Sequence, residues 1–248
     1  TFATNAIVES KGCRVGLLLA GYDERAAARI QHHPIYRISG SHDVQGRETT
    51  PLDEAAVHTA LTRLAEIDKV DAIAVAGMFG CRNPEHERRI KTIVSQRFGG
   101  MVVCAHELSS ELNSILRAST VVLNARIVPI MIQLVGSVRT ALEDRGIHAE
   151  LAVVRADGSL VKADEACARP VEMILSGPAA SICGAHALTG LEDALIVDIG
   201  GTTSDVATLT KGQPVHDGKG AIVGQHHTTV RAPAIRTTGL GGDSEIHV

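Results

Sequence analysis

Between Leu52 and Ala105 the apolar residues change period repeatedly, and a recognisable start or stop residue marks most of the changes. Leu52, Ala55, Ala56, Ala60, Leu61, Leu64 and Ile67 recur at the spacing of one helix face, with Asp53 and Glu54 where the helix dipole favours acids. Val70-Asp-Ala-Ile-Ala-Val-Ala-Gly77 then reads as a central strand. At Asn83-Pro84-Glu85-His86-Glu87-Arg88-Arg89-Ile90 a second helix begins: Asn suits a cap, Pro the first turn, and the early acids the dipole. Gly99-Gly100 stops it, and Met101 to Ala105 supplies another strand. Helix, strand, helix, strand is an α/β signature and implies a parallel pair joined by a right-handed crossover.

The flanking segments are less regular. Residues 13–20 form an apolar run that fits a buried strand, whereas 21–51 is polar, carries His32-His33-Pro34 and Ser39-Gly40-Ser41-His42-Asp43, and reads as loop-rich. A long helix is expected from about Ser119 to Asp144, bent at Pro129 and ended near Gly146. Leu151–Arg155 and Ser159–Val161 suggest a hairpin, 163–168 a short helix, and Ser176–Ala187 a Ser-capped helix of small residues. Ala221–Val223 and Thr228–Val230 read as further strands before Gly239-Leu-Gly241-Gly242-Asp243-Ser244.

Composition excludes several classes. The 248 residues allow one large domain or two smaller ones, and aromatics make up only 2% with no Trp, so the core is built from Ala, Val, Ile and Leu. That leaves little for base stacking, and a net charge of −4 with interspersed signs argues against a nucleic-acid binder. Five cysteines without a C-x-x-C pair suggest reduced thiols in a cytoplasmic protein rather than a disulfide or zinc framework. No signal peptide is evident, and the longest apolar stretch, Ile127–Val135, contains Pro129 and Gln133 and is too short to cross a bilayer, so no membrane partner is expected. The chain opens with Thr1 as if inside an element, which suggests either a piece of a longer protein or a processed product.

The stretch Ala194–Leu209 carries the chemistry most open to argument. It reads as a buried strand, a tight turn at Gly200-Gly201 and a returning strand. Adjacent glycines allow positive φ and let backbone N–H groups approach an anion, and Thr202, Thr203 and Ser204 add hydroxyls. Asp198 and Asp205 flank the turn and could hold magnesium through water; the alternative is an ordinary hairpin. His106-Glu107 ends the 101–105 strand, where α/β folds place ligand-contacting residues, and is the candidate catalytic pair; a structural His at a strand end is the alternative. His42-Asp43 is either a general-base pair or a turn, and the turn is favoured. His226 and His227 point to opposite faces if in a strand, so a shared metal is not expected. Cys104 and Cys183 read as inert core thiols, and Arg88-Arg89 as a solvated helix face.

Taken in order, several blocks resemble the hydantoinase/oxoprolinase family, the ATP-dependent A subunits of N-methylhydantoinases and related enzymes. They are Ala3-Thr4-Asn5-Ala6 with Lys11-Gly12, Arg82 to Arg89, Val121-Val-Leu123-Asn124-Ala125, Asp157-Gly158-Ser159-Leu160-Val161, Leu175-Ser176-Gly177-Pro178-Ala179, Asp198 to Val206, and Gly239-Leu-Gly241-Gly242. The resemblance implies an α/β fold of actin-like ATPase (ribonuclease H-like) lobes, here partial. Residues 1–107 would be part of the first lobe and 108–248 the start of the second. It also implies ATP and Mg2+ as cofactors. Gly200, Gly201, Thr202, Thr203, Gly241 and Gly242 would lie around the phosphates, with Asp198 as a water-mediated metal ligand and Asp205 as a second candidate.

The activity implied is phosphorylation of the amide oxygen of a small cyclic amide, of hydantoin or 5-oxoproline type, so that water opens the ring. A second hydantoinase subunit would be a partner, and an oligomer is compatible with it. Two readings compete: a small-molecule kinase of the same superfamily, and a non-catalytic nucleotide-sensing or assembly ATPase. The family's first phosphate hairpin, Asp-x-Gly-Gly-Thr in type, would precede residue 1 and the rest of the second lobe would follow Val248, so this stretch alone is expected to be inactive. Asp243 stands where the family continues a glycine run.

Overall fold

The structure is a computed structural model and describes residues 2–245. It opens with α1 (Phe2–Val8), β1 (Val15–Ala20), α2 (Glu24–Ala28), β2 (Ile35–Ile38), β3 (Ser41–His42) and β4 (Glu48–Thr50). Next come α3 (Glu54–Glu66), β5 (Ala72–Gly77), α4 (Glu85–Ser95), β6 (Met101–Cys104) and a short 3-10 turn at Ala105–Glu107. Four of these strands form a parallel sheet in the order β2-β1-β5-β6.

Every residue of β1 and β5 is buried, as expected of strands covered on both faces. Side chains alternate across the sheet, so Leu18, Ile73 and Val75 meet Leu61 and Leu64 of α3 and Ile90 of α4, while Leu17, Leu19 and Ala74 face the opposite layer. Gly16 makes the first contact possible, because a Cβ there would lie 2.4 Å from Leu64 Cδ2.

Most of 21–51 is loop, as expected, but the segment also contains α2, the edge strand β2 and the β3–β4 hairpin. Only Ile38 of β2 is buried, so Ile35-Tyr-Arg-Ile shows neither the continuous apolar run nor the alternation that marks a strand. α4 also starts differently, with Pro84 at the cap position; Asn83 Oδ1 accepts from Glu85 N at 3.0 Å and Nδ2 donates to Gly46 O at 2.9 Å.

The layer facing Leu17 and Leu19 is α5 (Ser114–Glu143), which begins five residues before the expected Ser119 because Asn113 caps it, accepting from Leu116 N at 3.2 Å. By length and composition α5 would span a bilayer, with mean hydropathy 1.8 over its most apolar 18 residues, contrary to the sequence estimate; half of that window is buried inside the protein, as in a core helix. Its first half packs on the parallel sheet. Its second half packs Leu123, Ile127, Met131 and Val135 against Ile7 of α1 and Ile174.

Past α5 come β7 (Ala152–Val154) and β8 (Leu160–Lys162), paired as the expected hairpin, then α6 (Ala163–Ala168) and a 3-10 turn at Pro170–Met173. α7 (Ser176–Thr189), β9 (Ala194–Ile199), β10 (Ser204–Thr210), β11 (Gln213–Pro214), β12 (Ile222–Val223), β13 (His226–His227) and β14 (Ile235–Thr238) complete the described chain. β10 is central in an antiparallel sheet, pairing with β9 on one side and with β14 and β11 on the other.

Three expectations fail in this part. Ser176 does not cap α7: the cap position is Leu175, at φ 57° in the left-handed region, with its N–H donated to Thr4 Oγ1 at 3.0 Å. The strand expected at 228–230 lies at His226–His227, and β14 had no sequence signal. β9 is not buried. Its Ile196 faces Ile182 of α7 together with Ala207 and Leu209 of β10, but Leu195, Val197 and Ile199 on the other face are 68%, 52% and 67% exposed.

Candidate functional site

The β9–β10 turn is closed by Gly200 N donating to Thr203 O at 2.9 Å. Neither Gly200 nor Gly201 adopts a left-handed φ, so the expected reason for the glycine pair is replaced by another. The segment 239–244 lies directly on the turn: Gly242 N donates to Gly200 O at 2.8 Å, Asp243 N to Gly201 O at 2.7 Å, and Ser204 Oγ to Leu240 O at 2.6 Å. A Cβ on Gly201 would stand 2.6 Å from Asp243 Oδ2, and one on Gly241 would stand 2.4 Å from Gly201 O. Backbone approach requires glycine at Gly241, the Asp243 side chain crowds Gly201, and a Cβ on Gly200 would meet only Thr203 O at 3.4 Å. The N–H groups of Gly201, Thr202 and Thr203 have no acceptor among the described residues, which leaves three neighbouring donors on an exposed turn.

Asp198 and Asp205 are opposite one another in the β9–β10 register and therefore share a face. Ser181 Oγ of α7 donates to Asp198 Oδ2 at 2.7 Å, and Thr237 Oγ1 of β14 donates to Asp205 Oδ1 at 2.6 Å. Among the described residues the two carboxylates do not converge with a third His, Cys, Asp or Glu ligand, so a magnesium ion placed between them would be held through water.

A second polar centre lies at the carboxyl ends of β5 and β6. Glu87 is fully buried, and its carboxylate accepts four hydrogen bonds: Oε1 from Gly77 N at 2.8 Å and Arg117 Nη2 at 2.9 Å, Oε2 from His106 N at 2.8 Å and His106 Nδ1 at 2.7 Å. Arg117 is equally buried, and Nη1 also donates to Gly77 O at 3.3 Å. A carboxylate can only accept, so His106 carries a proton on Nδ1 and turns Nε2 away from Glu87. Gly80 completes the fit, since a Cβ there would fall 2.1 Å from Glu87 Oε1.

Glu107 has a different part. Its Oε1 accepts from Lys91 Nζ at 2.5 Å and its Oε2 from Cys104 N at 3.0 Å, which closes the turn after β6. Burial pushes its carboxyl up, but the Lys91 ammonium and the Cys104 N–H outweigh this and hold it below its ordinary value of 4.5. Because the folded-state value is depressed, its stabilisation is fully present above about pH 4.5 and is lost as pH falls through the folded value. Glu107→Gln is therefore expected to destabilise the protein most near neutrality, and denaturation at a series of acid pH values should show the two proteins converging.

Glu87, Cys104 and His106 are the one group of potential metal ligands that converges among the described residues. Arg117 already neutralises Glu87, and burial together with Glu87 and Glu107 pushes the Cys104 thiol far up, so the trio is a hydrogen-bonded network and lacks the free thiolate a metal would need. His42 and Asp43 do not pair: Asp43 takes the N–H groups of Gln45 and Arg47 in a turn, while His42 packs on His86 with ring centroids 4.1 Å apart. Arg89 grips Glu54 of α3 at 2.6 and 2.8 Å on an exposed face. Cys183 is half-buried rather than core.

Comparison with known proteins places this geometry among relatives. Residues 117–248 match the family described as hydantoinase/oxoprolinase, and residues 1–98 match the hydantoinase/oxoprolinase N-terminal region. The caprolactamase subunit alpha of Pseudomonas jessenii is 30% identical, the match covering 100% of this chain and 39% of that protein. The 5-oxoprolinase of Saccharomyces cerevisiae is 26% identical over 77% of this chain and 15% of its own length. The acetone carboxylase beta subunit of Xanthobacter autotrophicus is 26% identical over 69% and 24%. Among solved structures, the ATP-dependent caprolactamase from Pseudomonas jessenii superposes with a TM-score of 0.80 at 26% identity, over 96% of this chain and 38% of that one. Nucleotide-free acetone carboxylase, at 21% identity, shares the fold with a TM-score of 0.78 over 97% and 38%. The chain thus spans about two fifths of the caprolactamase subunit.

Proposed function

The chain belongs to the hydantoinase/oxoprolinase family, and on that premise we propose that it forms part of the nucleotide-gripping core of an ATP-dependent enzyme that opens a cyclic amide. The observation that carries this reading is the β9–β10 turn: three adjacent N–H donors without protein acceptors, braced from behind by the Gly241-Gly242 segment. Those donors fit a phosphate, as preorganised backbone N–H groups do wherever charge must be held without reorganisation.

When bound, ATP supplies a phosphoryl group that converts the amide oxygen into a better leaving group. Gly201, Thr202 and Thr203 would hold phosphate oxygens, and Asp198, fixed by Ser181, would hold a magnesium ion through water. His106, fixed by Glu87, offers Nε2 as a proton acceptor. Several relatives are named as alpha, beta or gamma subunits, which supports a partner subunit for the complete enzyme. The five free thiols fit a cytoplasmic setting.

The alpha subunit of a caprolactamase matches the whole chain, and this favours a lactam over a ketone as substrate class. The test is ATP turnover by the full-length protein with its partner subunit, magnesium, and a panel of lactam, hydantoin and 5-oxoproline. The expected result is ADP, phosphate and an opened ring only when a cyclic amide is present. Turnover that is equal and slow with and without amide overturns the reading; turnover that needs a ketone and bicarbonate reassigns it to carboxylation, and a stable phosphorylated product to a kinase.

A further inference from the structure

The first half of α5, the loop after α2 and the turn into β13 line a pocket of about 210 Å3. Its polar lining is one-sided: Arg29, His32, Arg126, His226 and His227 face it, and no carboxylate does. Neither Arg29 nor Arg126 forms an ion pair among the described residues, although Arg126 is half-buried. A guanidinium cannot shed its charge, so withdrawing one from water without a counter-charge is unfavourable unless an anion arrives.

The histidines report the same field. His32 donates Nε2–H to Val15 O at 2.8 Å, which leaves Nδ1 as its open nitrogen. Burial above all, with Arg126, His33 and His226 acting against the Val15 hydrogen bond, holds His32 below its ordinary value; burial and Arg126 do the same to His226. Both imidazoles are therefore neutral at pH 7 and poised to take up a proton if negative charge enters.

We propose that this pocket binds a small oxyanion, a phosphate or a carboxylate, held between Arg126 of α5 and the β12–β13 hairpin. The site shares no residue with the β9–β10 turn. It does share Leu116 and His227 with an adjoining cleft of about 1070 Å3, so a ligand that places its anionic end on Arg126 has room for the rest of its atoms.

The test is a histidine NMR titration of the full-length protein with inorganic phosphate and, separately, with acetate, against chloride at matched ionic strength. Saturable shifts of the His32 and His226 signals are expected with one or both oxyanions. Their pKa values should rise, and affinity should tighten as pH falls from about 7.5 to about 6. Saturation by phosphate alone identifies a phosphate group as the ligand, and saturation by acetate alone a carboxylate. Arg126→Gln should weaken binding by about tenfold or more, the scale of a lost charge-assisted hydrogen bond. If that variant does not fold, His226→Gln supplies the comparison and should flatten the pH dependence. No saturation with either oxyanion overturns the proposal. So does phosphate binding that perturbs the β9–β10 turn and leaves both histidines unmoved.

Discussion

Glu87→Ala is expected to lower the unfolding free energy by about 3–5 kcal/mol, the usual cost of stranding one charge of a buried pair. Glu87 and Arg117 are both fully buried, and no other carboxylate bonds Arg117 among the described residues, so the guanidinium would lose its counter-ion and keep its desolvation cost. The same change removes acceptors from Gly77 N and from both His106 groups. Equilibrium denaturation in urea reads the effect directly. Arg117→Met should also be harmful, because it leaves the buried Glu87 carboxylate without its guanidinium. Replacing both residues together by methionine should recover a large part of the loss, since a buried ion pair exchanged for apolar groups of similar volume is often near neutral. A double variant as unstable as the sum of the singles would show that the hydrogen bonds to Gly77 and His106, and not the ion pair, carry the stability.

Gly241→Ala is expected to reduce amide-dependent ATP turnover of the full-length protein by about two orders of magnitude while leaving the parallel sheet folded. That factor is the one typical of displacing a preorganised donor from developing charge. The added methyl would meet Gly201 O at 2.4 Å, a backbone atom that cannot swing aside as a side chain end can. Either the 239–244 segment lifts away or the Gly200–Thr203 turn deforms, and in both cases the three N–H donors are displaced. Gly239→Ala is the control, because a Cβ there has no neighbour within 4 Å. Steady-state ADP release from the two variants makes the comparison, and equal rates would remove Gly241 from the site.

How much of this was legible in the sequence depended on whether an element carries its own signal. β5 was readable because Ala72 to Gly77 is wholly apolar and lies between two periodic helices. β2 was not, because three of its four residues remain partly or fully exposed. The glycine turn was visible as Gly200-Gly201, but the crowding at Gly201 comes from Asp243, some forty residues on. His106 and Glu107 drew notice as a pair, yet the structure separates them, tying one to Glu87 and the other to Lys91. A signal for Glu87 did exist, since it falls on the same α4 face as Ile90 and Val94, and an acid at a core position of a helical pattern asks for a buried partner.

Local order, and the family, were therefore written in the chain: the α/β alternation, the glycine turn and the succession of motifs follow from residue spacing, which short-range sterics and apolar periodicity read directly. Tertiary structure alone decided what those motifs touch. Arg117 reaches Glu87 across 30 residues, the 239–244 segment braces a turn at 200–203, and Arg126 meets His226 across a pocket. Contacts of that kind depend on which faces α5 buries against two different layers, and no local pattern encodes that choice.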